Sequence, residues 1–261
     1  MRSIWKGFIS FGLVNIPVRM YTASQDKEIS FVLLHKKDLS HIHYARICEA
    51  ENKEVPWEEI VKGFEMENGN VVVFQDSDFE KVNGKKTRTI EIMNFIDEDE
   101  IDSIYYVRPY FLEPDKNGEK AYALLRDALK KSKRVGLAKY VLRNREHLAV
   151  VKFYDNMIII NELRYESELR KSKELKIPAV VTQSKEINMA IELIDQLTVS
   201  FNPKKYKDTY VEEVKQIIKR KAHGRPLQPK KEKHPSPKVH DIMTLLEESL
   251  GKKSSKRLKS A

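Results

Sequence analysis

The first 21 residues constrain the fold more than any other stretch of the chain. Residues 4–11 alternate in polarity, and the bulkier apolar side chains occupy the odd positions. The alternation resumes over residues 13–21, where the apolar set takes the even positions: Val14, Ile16, Val18 and Met20. A period of two is that of a half-buried strand, so we predict two strands separated at Gly12. Pro17 has no N–H to give to a ladder, which predicts a sheet edge or a bulge at that point.

Three tracts carry more information than their periodicity. They are IWKGFISFGLVNIPV at 4–18, IYYVRPYFLEPDKNG at 104–118 followed after one residue by KAYALLRDAL at 120–129, and LRNREHL at 142–148. These tracts closely resemble the prokaryotic Ku proteins, the DNA-end-binding factors of bacterial non-homologous end joining. Together they extend in order over nearly the whole chain. The resemblance implies a β-barrel that homodimerises into a ring around double-stranded DNA ends.

The expected fold class is therefore mixed and mainly β. A Ku-type core is predicted over residues 1–224, with a bridging arm over about 25–75 and a C-terminal helical arm over about 184–224. Residues 225–238 are rich in proline and lysine and are predicted to be a flexible linker. A short amphipathic helix and a basic tail are expected over residues 239–261.

Further strand patterns follow the first two. They cover residues 29–34, 42–47, 71–74, 89–95, 105–112, 137–143, 147–153 and 157–163. Asn83-Gly84 is the strongest short hairpin signal, so it predicts a hairpin between residues 71–74 and 89–95. Tight turns separate the last three strands, which predicts a meander that completes a closed or nearly closed barrel.

Three segments within the predicted core repeat apolar residues at helical spacing. In the first, one buried stripe is predicted to contain Ala121, Leu124, Leu125, Ala128 and Leu129. Ser184 is the expected cap of a second helix, with the stripe Ile187, Ala190, Ile191, Ile194 and Leu197. Thr209 and Glu212 form a capping-box pattern for a third, which contains Val214, Ile217 and Ile218 and ends at Gly224. About ten residues separate these last two helices, too many for a helix-turn-helix.

The positive charge of the chain is concentrated at its C-terminal end. The formal net charge is +9, and residues 219–261 hold 13 Lys and Arg against 4 Asp and Glu, so residues 1–218 sum to zero. A neutral body can hold DNA only if its charges are segregated onto one surface. One cysteine excludes an internal disulfide, and no apolar run approaches a membrane span. We expect a cytoplasmic protein associated with the nucleoid.

The candidate DNA contacts come from two sources. The bridging arm that the resemblance implies has more basic residues in its first half and more acidic residues in its second, and an ordinary solvated surface is the alternative interpretation. Residues 128–145 hold seven Lys and Arg and no Asp or Glu. Period two would place Lys139 and Arg143 on one strand face, which favours phosphate contact there. The full predicted set is Arg19, Lys36, Lys37, Arg46, Lys133, Arg134, Lys139, Arg143 and Arg145.

Catalysis is not expected from this sequence. The carboxylates of residues 97–100 offer a metal-dependent nuclease as an alternative, but a capped helical turn explains them better. A sequence-specific regulator built on the paired helices is a second alternative. His41, His43 and Cys48 do not make a structural zinc site, since the thiolate-rich ligand sets need more than one cysteine. We therefore expect no enzyme activity, no metal and no cofactor.

The end of the chain carries one more pattern. A helical stripe is predicted from Val239, Ile242, Met243, Leu246 and Leu250. A helix this short is marginal unless it packs its apolar face, and docking on its own barrel is one alternative. The resemblance implies another partner, the multifunctional ATP-dependent DNA ligase of end joining.

Overall fold

The computed structural model describes residues 1–25, 29–83, 88–143, 145–224 and 246, without the side chains of residues 80, 82 and 83. The chain divides into two compact units, residues 1–171 and 172–261. Their boundary falls inside the predicted core of residues 1–224, and the extent of that core stays a prediction. The predicted linker and most of the predicted tail helix lie outside the described residues.

Seven strands of the first unit close into a barrel. In chain order the strands are β1 (Trp5–Phe11), β2 (Val14–Thr22), β3 (Lys62–Glu65), β4 (Val71–Phe74), β5 (Thr89–Asp97), β6 (Tyr106–Pro114), β7 (Arg134–Leu142), β8 (Arg145–Tyr154) and β9 (Met157–Leu163). The barrel order is β1-β2-β6-β9-β8-β7-β5, and β5 returns to β1 in parallel. The predicted β-barrel and the β7-β8-β9 meander are both confirmed.

Alternation along β1 and β2 places one face of each strand in the core. Ile9 is fully buried, as are Ile16, Val18 and Met20 of the facing strand. These are apolar positions that the period of two predicts, but Val14, which belongs to the same predicted set, is 38% exposed. The core is completed by residues of the other five barrel strands and of one helix.

Pro17 lies in a closed barrel, and the strand pairs around it have no register shift, so neither the predicted edge nor the predicted bulge is found. It stands opposite Phe8 of β1, whose N–H donates away from β2 to the Arg88 carbonyl at 2.9 Å. In such an antiparallel pair the backbone N–H groups of both residues point away from each other, so an N–H at position 17 would point towards β6. Pairing with β6 begins only at Val18, and the Pro17 carbonyl accepts from the Asp115 N–H at 2.8 Å. The proline is tolerated because no ladder donor is required at that position.

Two helices belong to the first unit, α1 (Asp76–Asn83) and α2 (Glu119–Ser132). The predicted stripe of α2 is wrong in part: Leu125 and Leu129 are buried, but Leu124 is 68% exposed and Ala128 is exposed. Tyr122 takes the place of Leu124 in the core. The buried face is rotated about the helix axis, since the tyrosine has polar partners inside the barrel.

The Tyr122 hydroxyl joins α2 to two strands. It donates to the Leu112 carbonyl of β6 at 2.6 Å and accepts from the Ile158 N–H of β9 at 2.8 Å. Burial raises the pKa of this phenol, so the hydroxyl keeps its proton. One buried group thus satisfies a donor and an acceptor of the barrel backbone.

We expect Tyr122→Phe to lower the free energy of unfolding by about 1–3 kcal/mol, because two buried backbone groups lose their partner. Urea denaturation monitored by circular dichroism measures the difference. Tyr21→Phe is the matched control: the Tyr21 hydroxyl donates to Glu113 at an exposed site, where water can replace it. Equal stability of the two variants would show that the Tyr122 hydrogen bonds do not stabilise the barrel.

The predicted bridging arm falls in the segment that connects β2 to β5. Its regular elements are a hairpin of β3 and β4, then α1. Asn83 ends α1, and β4 pairs with β3 rather than with β5, so the predicted hairpin at Asn83-Gly84 is wrong; Gly84 itself lies outside the described residues. Among the described residues, the predicted strands over 29–34 and 42–47 are reduced to single bridges, Leu34 with His41 and Ile47 with Glu54.

The second unit contains α3 (Ser184–Leu197) and α4 (Thr209–Ala222). Both predicted caps are wrong by one position: Gln183 is the N-cap of α3, where its N–H donates to the Glu186 carboxylate at 2.9 Å, and the Asp208 carboxylate caps α4 by accepting from the Val211 N–H. The residues of both predicted stripes lie within these helices, but neither helix has a buried residue. The connection covers residues 198–208, longer than a helix-turn-helix has. No helix in the described part of the chain is long and apolar enough to cross a membrane.

Candidate nucleic-acid interface

Two successive loops of the predicted bridging arm carry opposite net charges. The basic loop comprises residues 35–40 and the acidic loop comprises residues 48–53. Both have the same backbone hydrogen bonds: the first residue donates to the sixth, and the fifth donates back to the first. Leu39 and Asn52, at the fifth position, both have a positive φ. The loops are thus similar in backbone but opposite in charge.

Lys36 and Lys37 form the tip of the basic loop. The neighbouring Asp38 carboxylate accepts from the Ser40 N–H at 3.0 Å and from the Ser40 hydroxyl at 2.8 Å. It also lies 3.0 Å from His35 Nδ1. These contacts hold the pKa of Asp38 below its ordinary value, and the hydrogen bond from the Ser40 N–H makes the largest contribution. Because the carboxylate is engaged within the loop, the two ammonium groups face solvent on a defined backbone.

Arg46 begins the chain segment that leads to the acidic loop. Its guanidinium carbon is 5.3 Å from the centre of the Trp57 ring, and its Nε is 3.5 Å from the Val55 carbonyl oxygen. A guanidinium stacked on an aromatic face keeps its charge and its outward N–H donors. Arg46 is therefore oriented by the arm itself.

Four of the nine predicted contacts are already in ion pairs on the barrel. Arg19 lies 3.4 Å from Glu113 and 3.8 Å from Asp115, which Lys6 also contacts at 2.7 Å. The other three pairs are Arg134 with Asp97, Lys139 with Glu146 and Arg145 with Glu168. A cation with a carboxylate partner has to give it up, or share it, before it neutralises a phosphate.

The pairing of Lys139 and Arg143 on one strand face is not found. β7 ends at Leu142, and Arg143 lies in the turn to β8 with a φ of 51°. The Lys139 ammonium donates to Glu146 at 2.9 Å, and this hydrogen bond raises the pKa of Lys139. Glu146 stands opposite Val141 on β8 and is therefore a diagonal neighbour of Lys139. The register of a two-residue turn predicts that neighbour from the sequence alone.

The remaining candidates are Lys36, Lys37, Arg46, Lys133 and Arg143. None of them has an ion-pair partner among the residues that the structure describes. Lys133 is the C-cap of α2, with a φ of 56°, where its charge also complements the helix dipole. The basic loop is the place where two such cations are adjacent.

Two of the acidic residues 97–100 pair with basic side chains. Glu98 contacts the Lys152 ammonium, and Asp97 lies 3.6 Å from Arg134. The predicted cap is absent, since the Asp97 side chain makes no cap hydrogen bond to the short 3-10 turn Glu98–Glu100. In the described part of the chain, no group of three or more His, Cys, Asp or Glu is arranged to hold a metal ion.

One family model and several known proteins of the same name match the chain. A family model for the Ku70/Ku80 beta-barrel domain matches residues 10–189. The chain is 41% identical to the non-homologous end joining protein Ku of Opitutus terrae, over 96% of this chain and 91% of that protein. It is 38% identical to the protein of the same name from Bacillus subtilis, over 96% of this chain and 82% of that protein. The Archaeoglobus fulgidus protein of this name is 41% identical over 86% of this chain.

Proposed function

This chain belongs to the Ku family, and we propose that it binds double-stranded DNA ends in non-homologous end joining as a ring-shaped homodimer. It has no catalytic role in this proposal. It holds the broken ends and recruits the multifunctional ATP-dependent ligase that joins them. Family membership supports the end binding, and the arrangement of charge supports the way in which DNA is held.

The observation that carries the DNA contact is the separation of free and paired cations. Several barrel cations are matched to carboxylates, whereas the basic loop presents Lys36 and Lys37 next to an internally satisfied Asp38. An arm that projects from a barrel can pass over a duplex and contact its backbone. Contacts to phosphate fix position but carry no base information, which suits a protein that must accept any broken end.

The homodimer is supported by the second unit. All the residues of the α3 stripe, except the half-buried Ala190, are exposed, and so are Ile217 and Ile218 of α4. A contiguous apolar surface of this kind is typical of a protein–protein interface. A second copy of the chain is always present to cover this surface, and two-fold symmetric dimers are the commonest homo-oligomers.

We expect affinity for a blunt duplex to fall steeply with salt and to vary little with base sequence. Neutralised phosphates release counterions, so six or more contacts would weaken binding about a thousandfold between 50 and 200 mM salt. Titration of labelled linear duplexes of unrelated sequence, with a covalently closed circle as competitor, tests both points. A flat salt response, a strong consensus sequence, or equal binding to the closed circle would refute the proposal.

We expect the double substitution Lys36→Glu, Lys37→Glu to weaken end binding and to flatten its salt dependence. Each lost phosphate contact lowers the slope of log affinity against log salt by about 1, hence by about 2 per protomer. The loop should keep its shape, because its hydrogen bonds come from Asp38 and the backbone. The measurement is anisotropy of a labelled duplex at several salt concentrations.

A matched control separates local contact from net charge. Lys53→Glu with Lys116→Glu changes the charge by the same amount, at the acidic loop and at an exposed barrel turn. We expect that control to keep nearly the parental salt slope. Equal slopes for the two double variants would mean that the basic loop does not contact DNA.

A further inference from the structure

The connection between α3 and α4 exposes aromatic rings among lysines. Phe201 is 80% exposed, Tyr206 is 68% exposed and Tyr210 is 74% exposed. Lys204, Lys205 and Lys207 are interleaved with them and are exposed as well. We call residues 201–210 the aromatic segment.

The aromatic segment has a defined local structure. The Asn202 side chain accepts from the Lys204 N–H at 3.1 Å and caps the short 3-10 turn Pro203–Lys205. This turn brings the rings of Phe201 and Tyr206 together, with centroids 5.9 Å apart and planes inclined by 25°. The two nearly parallel rings are therefore stacked on each other, and both side chains are largely exposed to solvent.

The charge around these rings is positive. The one carboxylate of the segment, Asp208, accepts from the Val211 N–H at 3.0 Å as the cap of α4. None of the three lysines has an ion-pair partner in the part of the chain that the structure describes. The segment thus combines free ammonium groups with exposed aromatic faces.

We propose that the aromatic segment binds single-stranded DNA, the overhang that many broken ends carry. Single-strand sites combine cations that follow the backbone with aromatic side chains on which bases stack. Bases in a duplex are already stacked on each other, so exposed rings favour an unpaired strand. Any base has a π face, so such a site accepts any overhang sequence. The proposal adds a second, distinct site to the duplex contact of the basic loop.

The alternative occupant is a second copy of this chain, since exposed rings also occur at protein interfaces. The lysines favour nucleic acid over that alternative. Lysine is depleted at the centre of protein interfaces, and here three of them surround the rings. Charge complementarity with a phosphate backbone therefore favours single-stranded DNA over a second copy of the chain.

A labelled 25-nucleotide oligothymidine measures the site directly. We expect Phe201→Ala with Tyr206→Ala to weaken its binding to the full-length protein at least about tenfold, since each stacked base contributes roughly one to two decades. Phe201→Tyr with Tyr206→Phe keeps both rings and should bind like the parent. Tyr154→Ala removes an exposed ring from the end of β8 and should also bind like the parent.

Three results would overturn the proposal. The first is unchanged oligothymidine binding by the double alanine variant. The second is an equal loss on a blunt duplex, and the third is a change from dimer to monomer in sedimentation velocity, which would assign the segment to a contact between copies. A parent that binds the blunt duplex but not oligothymidine refutes this inference and leaves the proposed function standing. A parent that binds neither refutes the proposed function itself.

Discussion

Ile191→Asp combined with Ile194→Asp is expected to convert the dimer to a monomer that no longer holds DNA ends stably. Both side chains lie on the exposed stripe of α3. Burial of an isoleucine side chain contributes about 1.5–3 kcal/mol, and a two-fold interface would lose four of them. The loss is then about 6 kcal/mol or more, which corresponds to about four decades in Kd.

Sedimentation velocity measures the mass of the particle, and a gel shift with a blunt duplex measures end binding. Asn188→Asp with Gln196→Asp is the matched control, because it adds the same charge to the polar side of the same helix. Circular dichroism checks that both variants keep their helices. A double isoleucine variant that remains dimeric would place the contact between copies somewhere other than on α3.

The proposed ring is what makes the expected effect large. A monomer can still touch phosphates through one basic loop, but a closed ring leaves DNA only by reaching an end. A monomer that keeps half of the phosphate contacts should therefore stay on DNA for much less than half of the time that the ring does. The double isoleucine variant and the double lysine variant should therefore differ in what they change. The first should raise the rate at which the protein dissociates from DNA, and the second should change the dependence of DNA affinity on salt.

Local periodicity was sufficient to predict most of the barrel strands. The alternation in β1 and β2 identified the buried residues, since one face of each strand is in the core and the other is outside. The parallel pairing of β1 with β5, which closes the barrel, was not predictable in this way. It joins segments about eighty residues apart, and a period of two does not select a partner.

Contacts across the barrel also limit what local sequence predicts for side chains. The basic block around Lys139 predicts phosphate contact; the structure adds an ion pair with Glu146 on the neighbouring strand, and the DNA contact itself stays a prediction. Helical spacing predicts Leu124 in the core, but the polar partners of Tyr122 rotate the face of α2 that is buried. The resemblance implies contacts by Lys36 and Lys37, and in the structure Asp38 is hydrogen-bonded within the basic loop and not paired with either lysine.

Truncation after Lys238 is expected to leave a dimer that binds DNA ends but does not stimulate the ligase. Of the predicted tail stripe, Leu246 alone is among the described residues, where it is helical and half-buried. Val239, Ile242, Met243 and Leu250 lie outside the described residues. A short amphipathic helix gains most of its stability from packing, so an apolar groove on the ligase would fold it and hold it.

Leu246→Asp in the full-length protein should lower ligation of linear DNA to the rate of the ligase alone, because a buried charge opposes docking in an apolar groove. Thr244→Asp is the matched control, since it adds the same charge on the opposite side of the predicted helix and should keep stimulation. End binding by gel shift and particle mass are measured in parallel. Loss of dimerisation or end binding on truncation would assign the stripe to the core, because removal of a ligase-docking segment leaves both intact. Full stimulation by the truncated protein would exclude docking through this segment.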